Sequence, residues 1–227
     1  NLACFSKLAA HQVTVFNDTL HDVAALAERL QHFDALVLTR ERTAISADLL
    51  ARLPQLRVIS QTGKVAEHID IAACTAHGVA VVDGRGSGSA TAELTWALVL
   101  ASRRYLVDEV NRLQVGQWQG HLGQQLNGQR VGVWSYGRIG RQIAAYGKAF
   151  GMKVWVWGRQ ASLADARADG FEVAPSRAAF FSESDVLSLH VRLNAQTHGL
   201  VTAEDLALMR PNALFVNTSR AELVTQG

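Results

Sequence analysis

The sequence predicts an α/β protein made of two parallel-sheet domains with a cleft between them. Three observations predict it. Short β-branched runs alternate with stretches whose apolar residues recur at helical spacing, from residue 13 to residue 217. The runs are apolar nearly throughout, as strands are in a parallel sheet covered on both faces. A break at residues 83–89, with Gly84, Gly86 and Gly88, divides the series and reads as a hinge. The expected domains are residues 1–91 and residues 92–227.

In the first domain, residues 13–16 (Val-Thr-Val-Phe) read as a strand. Residues 22–30 read as a helix with Val23, Leu26, Ala27 and Leu30 on one face. Residues 35–38 read as a buried strand. Ser46 is placed to cap a helix over residues 47–53 that stops before Pro54. A strand at 58–60, a helix at 69–77 closed by Gly78 and a strand at 79–82 follow.

The second domain opens with a long expected helix, residues 92–113. Trp96, Leu100 and Val107 give it more apolar surface than one sheet face needs, so it reads equally as a core helix or as an interdomain or dimer-contact helix. Residues 114–128 are polar and glycine-rich, with Trp118 exposed, and read as an arm. Beyond them come a strand from Val131, a helix over 141–150 stopped by Gly151, and a strand at 153–157. A helix near 163–168, a strand near 172–174 and a helix capped by Ser176 follow. A strand at 186–190, a helix at 203–209 and a strand at 214–217 complete the pattern.

The 227 residues are 48% hydrophobic with a net charge of +2, which excludes a nucleic-acid surface built on charge. No apolar run approaches the ~20 residues of a membrane span, and no signal peptide is visible. Cys4 and Cys74 stand in no metal or redox spacing and read as thiols in a reducing, cytoplasmic compartment. None of the eight histidines has metal-ligand spacing, so no metal is expected.

The second domain turns on Val131-Gly132-Val133-Trp134-Ser135-Tyr136-Gly137-Arg138-Ile139-Gly140. A strand, a glycine-containing turn, a helix and a second strand form a βαβ unit whose turn leaves backbone N–H groups for a pyrophosphate. The dinucleotide fingerprint is incomplete, because Ser135 stands where its first glycine would be. The second strand ends in Gly158-Arg159, with no carboxylate to bond an adenosine ribose. Gly158 leaves room, Arg159 can face a 2′-phosphate and Ser162 can add a hydrogen bond, so NADP(H) is favoured over NAD(H).

Four stretches together resemble the D-isomer-specific 2-hydroxyacid dehydrogenases. They are Ile69-Asp70-Ile71-Ala72-Ala73 with Gly78 to Val82, and Ala92-Glu93-Leu94-Thr95. The others are Tyr136 to Gly140 with Ala149-Phe150-Gly151-Met152, and Asp185 to Val191 with Phe215 to Arg220. The resemblance implies a flavodoxin-like substrate domain, a Rossmann-type NAD(P)(H) domain and a small 2-hydroxy or 2-keto acid as substrate, and the long helix from Ala92 suggests a homodimer. It assigns Arg220 the grip on the substrate carboxylate and carbonyl, a role that suits a guanidinium at a strand's carboxyl end. It makes Gly63, Lys64 and Val65 the loop that offers N–H groups to the carboxylate. Tyr136, Gly137, Arg138, Ile139 and Gly140 become cofactor contacts, joined by His190 and Thr218. Arg192 departs from the proline that the family places after its His-Val pair.

The resemblance also implies a family chain that starts earlier than Asn1 and continues past Gly227. That tail would carry the catalytic histidine and its acidic partner, so truncation at both ends is expected. A dinucleotide-sensing binding protein or corepressor of the same fold is the competing reading, because fold does not fix function.

Overall fold

A computed structural model describes residues 3–84 and 86–226, with the backbone alone for residues 3–5. The Cys4 thiol and the expected chain end at Gly227 lie outside the described residues. The chain divides into two compact units, Asn1–Gly86 and Ser87–Gly227, so the division falls inside the glycine-rich connection.

The first unit is a three-stranded parallel sheet of β1 (Ala35–Leu38), β2 (Val58–Gln61) and β3 (Ala80–Asp83), in that order. Helices α1 (Val23–Leu30), α2 (Ala47–Ala51) and α3 (Ile71–Ala76) alternate with the strands. Each helix starts where its sequence provides an acceptor. Asp22, Ser46 and Asp70 take the N–H groups of Ala25 (2.8 Å), Leu49 (3.3 Å) and Ala73 (2.8 Å). The core gathers Leu26 and Leu30 of α1, Leu49 and Leu50 of α2, and Ile59 of β2.

Two expectations fail in this unit. Residues 13–16 form no strand, and Val13, Val15 and Phe16 are exposed. A β-branched run becomes a strand only where a neighbour takes its backbone groups, and none does so among the described residues. Phe16 instead packs edge-on against Phe33 and under Arg29. The sheet is also covered on one face only. Register pairs Leu36 with Ile59 and Ile59 with Val81 on the packed face, and Val37 with Ser60 and Ser60 with Val82 on the other. Val37 and Val82 are exposed, so β1 is not the fully buried strand expected.

The second unit is a five-stranded parallel sheet with order β6-β5-β4-β7-β8. Its strands are β4 (Arg130–Trp134), β5 (Lys153–Trp157), β6 (Glu172–Val173), β7 (Val186–Leu189) and β8 (Leu214–Asn217). Here both faces are covered, as expected. Val131 and Val133 of β4, with Val154 and Val156 of β5, pack against α4 (Ser89–Arg103) and α6 (Arg138–Ala149). The alternate residues Trp134, Trp155, Leu187 and Leu189 pack against Phe180 and Phe181 of α8 (Arg177–Ser182). The Trp155 indole N–H inside this second cluster donates to Ser184 Oγ at 3.0 Å, so the buried ring brings no unpaired donor with it. Helices α7 (Gln160–Ala168) and α9 (Ala203–Ala207) complete the unit.

The long helix expected over 92–113 is two helices, α4 and α5 (Leu106–Gln114), broken at Tyr105 with φ +50°. The sheet supplies the reason. Thr95 meets Thr218, just past the carboxyl end of β8, and Arg103 meets Asn212 and Asp185, just before the amino ends of β8 and β7. By Arg103 the helix has run the full height of the sheet. Ala92, Thr95, Trp96, Val99 and Arg103 of α4 are buried, whereas α5 buries nothing. Of the two readings of this segment, α4 is the core helix and α5 an exposed one. Tyr105 stacks on His121 at 4.7 Å, while Glu109 accepts the N–H groups of Gly120 and His121. These contacts hold the arm that follows, in which Trp118 and Leu122 are at least 80% exposed.

Candidate functional site

Because all five strands of the second unit are parallel, their carboxyl ends share one edge of the sheet. Chain order reverses between β4, which leads on to β5, and β7, which leads on to β8. Ligands of open α/β sheets bind at such a reversal. Four strand ends bring the expected residues there: Tyr136 to Gly140 after β4, Gly158 and Arg159 after β5, His190 after β7, and Thr218 and Arg220 after β8.

The turn after β4 is tight. Ser135 N–H donates to Trp157 O at 2.7 Å, and Ser135 itself sits at φ +79°. That conformation costs an L-residue about 1–2 kcal/mol, because Cβ crowds the following carbonyl. A Cβ on Gly140 would lie 2.0 Å from Ser135 O, so only glycine lets α6 start this close to the strand. Gly137 is the N-cap of α6 and is exposed, and a Cβ there would meet nothing within 4 Å. The first intrahelical bond runs from Arg141 N–H to Gly137 O at 3.0 Å, so the N–H groups of the first turn before it are not taken up by the helix ladder. Open space at a helix N-terminus fits a pyrophosphate.

Tyr136 turns its side chain inward. Its ring is only 3% exposed and packs in the core against Phe171. Its hydroxyl donates to Asp169 Oδ2 at 2.8 Å, and the Arg141 guanidinium lies 4.6 Å above the ring. Burial, then the Asp169 carboxylate, push the Tyr136 hydroxyl up to about 12. The side chain therefore clamps the turn to the end of α7, and only its backbone is left for a cofactor. Ile139 is half-buried against the same core, while Arg138 is exposed.

At the end of β5, Gly158 has φ +157° and its absent Cβ would stand 3.5 Å from the Ser135 backbone. A carboxylate residue would be strained there, which accounts for the missing ribose acceptor. Arg159 follows as the N-cap of α7. It is exposed, and its guanidinium has no hydrogen bond or ion pair among the described residues. Ser162, one turn into α7, is half-buried beside Gly158.

At the end of β7, His190 N–H donates to Trp134 O at 3.0 Å, and its Nε2 lies 2.8 Å from Ser188 Oγ. Its Nδ1 is buried without a partner among the described residues. Burial pulls the imidazole down to about 4. The unfolded chain protonates it near 6.5 and the folded one does not, so between these values the unfolded state binds more protons. Stability of this unit should be full above about pH 6.5 and fall toward pH 4 by on the order of 3 kcal/mol. His190→Gln should remove that part of the slope. Urea midpoints of both proteins at pH 7 and pH 5 check it, and identical slopes would mean that the native ring titrates as in water.

At the end of β8, Thr95 Oγ1 donates to Thr91 O at 2.8 Å, so Thr218 Oγ1 donates to Thr95 Oγ1 at 2.7 Å. Thr218 is left to act toward a ligand as an acceptor. Thr95 escaped the sequence reading; a hydroxyl on the buried face of an apolar helix was the available signal. Arg220 is exposed beyond the strand, and its carbonyl accepts from Asn217 Nδ2 at 2.7 Å. Ser219 N–H donates to Asn217 Oδ1 at 2.9 Å and Ser219 Oγ to Leu189 O at 3.0 Å. The loop that carries Arg220 is thus tied to both neighbouring strands.

In the first unit, the loop of Gly63, Lys64 and Val65 follows the carboxyl end of β2. Gly63 is exposed and its O accepts from Gly84 N at 3.0 Å, while Val65 packs against the core. Lys64 Nζ lies 2.6 Å from Asp83 Oδ2, so a carboxylate offsets its charge.

Residues 96–227 match the family described as D-isomer specific 2-hydroxyacid dehydrogenase, NAD binding domain. The chain is 34% identical over 213 residues to a glyoxylate reductase of Aeropyrum pernix, covering 89% of this chain and 63% of that protein. It is 32% identical to a D-3-phosphoglycerate dehydrogenase of Methanocaldococcus jannaschii, covering 88% of this chain and 39% of the relative. The chain thus spans less than two thirds of the length of these relatives. The crystal structure of a phosphoglycerate oxidoreductase from Vibrio cholerae O395 superposes with a TM-score of 0.89 and 51% identity, over 100% of this chain and 73% of the other. The chain belongs to the D-isomer specific 2-hydroxyacid dehydrogenase family.

Proposed function

We propose that the chain forms the greater part of an NAD(P)-dependent D-2-hydroxyacid dehydrogenase, which moves a hydride between a nicotinamide cofactor and a small 2-hydroxy or 2-keto acid. One observation carries the reading. The residues that match the family's NAD binding domain are those that gather the open Gly137 turn, Arg159 and Arg220 on one sheet edge. When bound, the nicotinamide supplies or accepts the hydride. The α6 N-terminus binds the pyrophosphate, and Arg220 orients the keto acid through carboxylate and carbonyl. The test is the rate of NADPH and NADH oxidation by the full-length protein with glyoxylate and hydroxypyruvate. Tight cofactor binding without turnover on any 2-keto acid would leave a binding protein.

The cofactor is NADPH in preference to NADH. The support is the unpaired guanidinium of Arg159 beside a strand end where no carboxylate stands. A partly screened, charge-assisted hydrogen bond to the 2′-phosphate supplies roughly 1.5 kcal/mol. Arg159→Ala should therefore weaken NADPH about tenfold and leave NADH nearly unchanged. Fluorescence titration with both cofactors checks this, and a variant that loses both alike would make Arg159 a surface residue.

The protein works as a homodimer in the reducing cytoplasm. Support for the dimer is the exposed apolar face of α5 and the arm, with Leu106, Val107, Val110, Leu113, Trp118 and Leu122, which a second copy would cover. Support for the compartment is the buried, unpaired thiol of Cys74.

A further inference from the structure

We propose that Tyr136, Arg141, Asp165 and Asp169 are positioning residues for cofactor choice: they hold α7, and with it Arg159, in fixed relation to the turn at Gly137. This rests on the cofactor site proposed above and adds side chains that touch no cofactor. Two separate elements grip one dinucleotide there, the turn after β4 and the start of α7. A ligand held at two points gains fully from both only when their spacing is set before it arrives.

Little else fixes α7. It is nine residues long, too short to persist as an isolated helix, and buries only Leu163 and Ala166. The strand that follows it, β6, has two residues and lies at the edge of the sheet. Arg159 caps one end of this short helix and Asp169 the other, so a movement at Asp169 is carried to the guanidinium. The segment around Gly137 reaches across to that second end. Tyr136 donates its hydroxyl to Asp169 Oδ2 at 2.8 Å from a ring buried against Phe171. Arg141, in the first turn of α6, lies over the same ring, pairs with Asp169 and reaches Asp165 Oδ2 at 2.7 Å. Ion pairs as exposed as those of Arg141 add little stability. Three bonds between the same two elements do supply a fixed geometry.

The experiment titrates NADPH and NADH into the full-length protein and its Tyr136→Phe and Asp169→Asn variants, each with and without Arg159→Ala. Tyr136→Phe changes no charge and keeps the ring. It should lower the preference for NADPH over NADH by about threefold to fivefold. Asp169→Asn should do the same, although loss of a carboxylate from this helix would by charge alone favour the more anionic NADPH. With Arg159→Ala already in place, neither variant should change the ratio further, because the clamp acts through that guanidinium. Bonds that serve stability alone would lower the thermal midpoint and leave the ratio at its wild-type value. That result, or equal effects with and without Arg159, would overturn the proposal and leave the cofactor site intact. An Arg159→Ala variant with the wild-type ratio would overturn the reading of the cofactor site, and the clamp's role with it.

Discussion

Arg220→Lys in the full-length protein should lower kcat/KM for a 2-keto acid by on the order of 10²-fold, with cofactor affinity changed by about twofold at most. The expectation comes from geometry more than from charge. Lysine keeps the positive charge but replaces a planar fork with a single rotating ammonium, so it cannot hold carboxylate and carbonyl oxygens in fixed relation. The loop that bears Arg220 is braced through Asn217 and Ser219 to its own strand and to β7, so the backbone that carries the fork is fixed. Initial rates across substrate concentration, with a separate NADPH titration, decide the matter. Equal losses of turnover and cofactor affinity would make Arg220 part of the structure that carries the cofactor.

The sequence made the second unit legible because its signals were local. Each strand of the nucleotide unit is a β-branched or aromatic run whose alternate residues both find a core, so periodicity and burial agree at Val131 to Trp134 and Val154 to Trp157. Ser176 announced a helix start through a side chain that bonds within its own turn. What stayed hidden depended on partners distant in sequence. Nothing in Val13 to Phe16 tells whether a neighbouring strand will be present. Nothing near Tyr105 tells that the sheet ends at Arg103, because that limit is set by Asp185 and Asn212. The site divides in the same way. The places of Gly140 and Arg159 just past their strands were readable from the strand–turn–helix pattern, whereas the Tyr136–Asp169 clamp and the Thr95–Thr218 pair join residues far apart in the chain. The pairing of Lys64 with Asp83, across the loop, likewise could not be placed from sequence.

Arg103→Ala should cost the second unit about 3–5 kcal/mol, the largest single loss of stability expected away from the site. Arg103 is 6% exposed at the end of α4. One guanidinium nitrogen donates to Gln124 Oε1 at 2.6 Å and to Asn212 O at 2.8 Å, and the other donates to Asp185 O. Gln124 N–H returns to Arg103 O at 2.8 Å. A single side chain thus ties α4, the arm and the entries to β7 and β8, and its removal leaves polar acceptors without their donor together with a cavity. Lysine would not restore the contacts, because one ammonium cannot reach acceptors spread around a planar fork. Arg210 is the control. It pairs with Asp185 at 3.0 Å but from a side chain 55% exposed, so Arg210→Ala should cost less than about 1 kcal/mol. Thermal unfolding of both variants should show a fall of about 10 °C for Arg103→Ala and about 2 °C for Arg210→Ala. Similar small shifts in the two would mean that water enters the base of α4 and that Arg103 is already solvated in the native state.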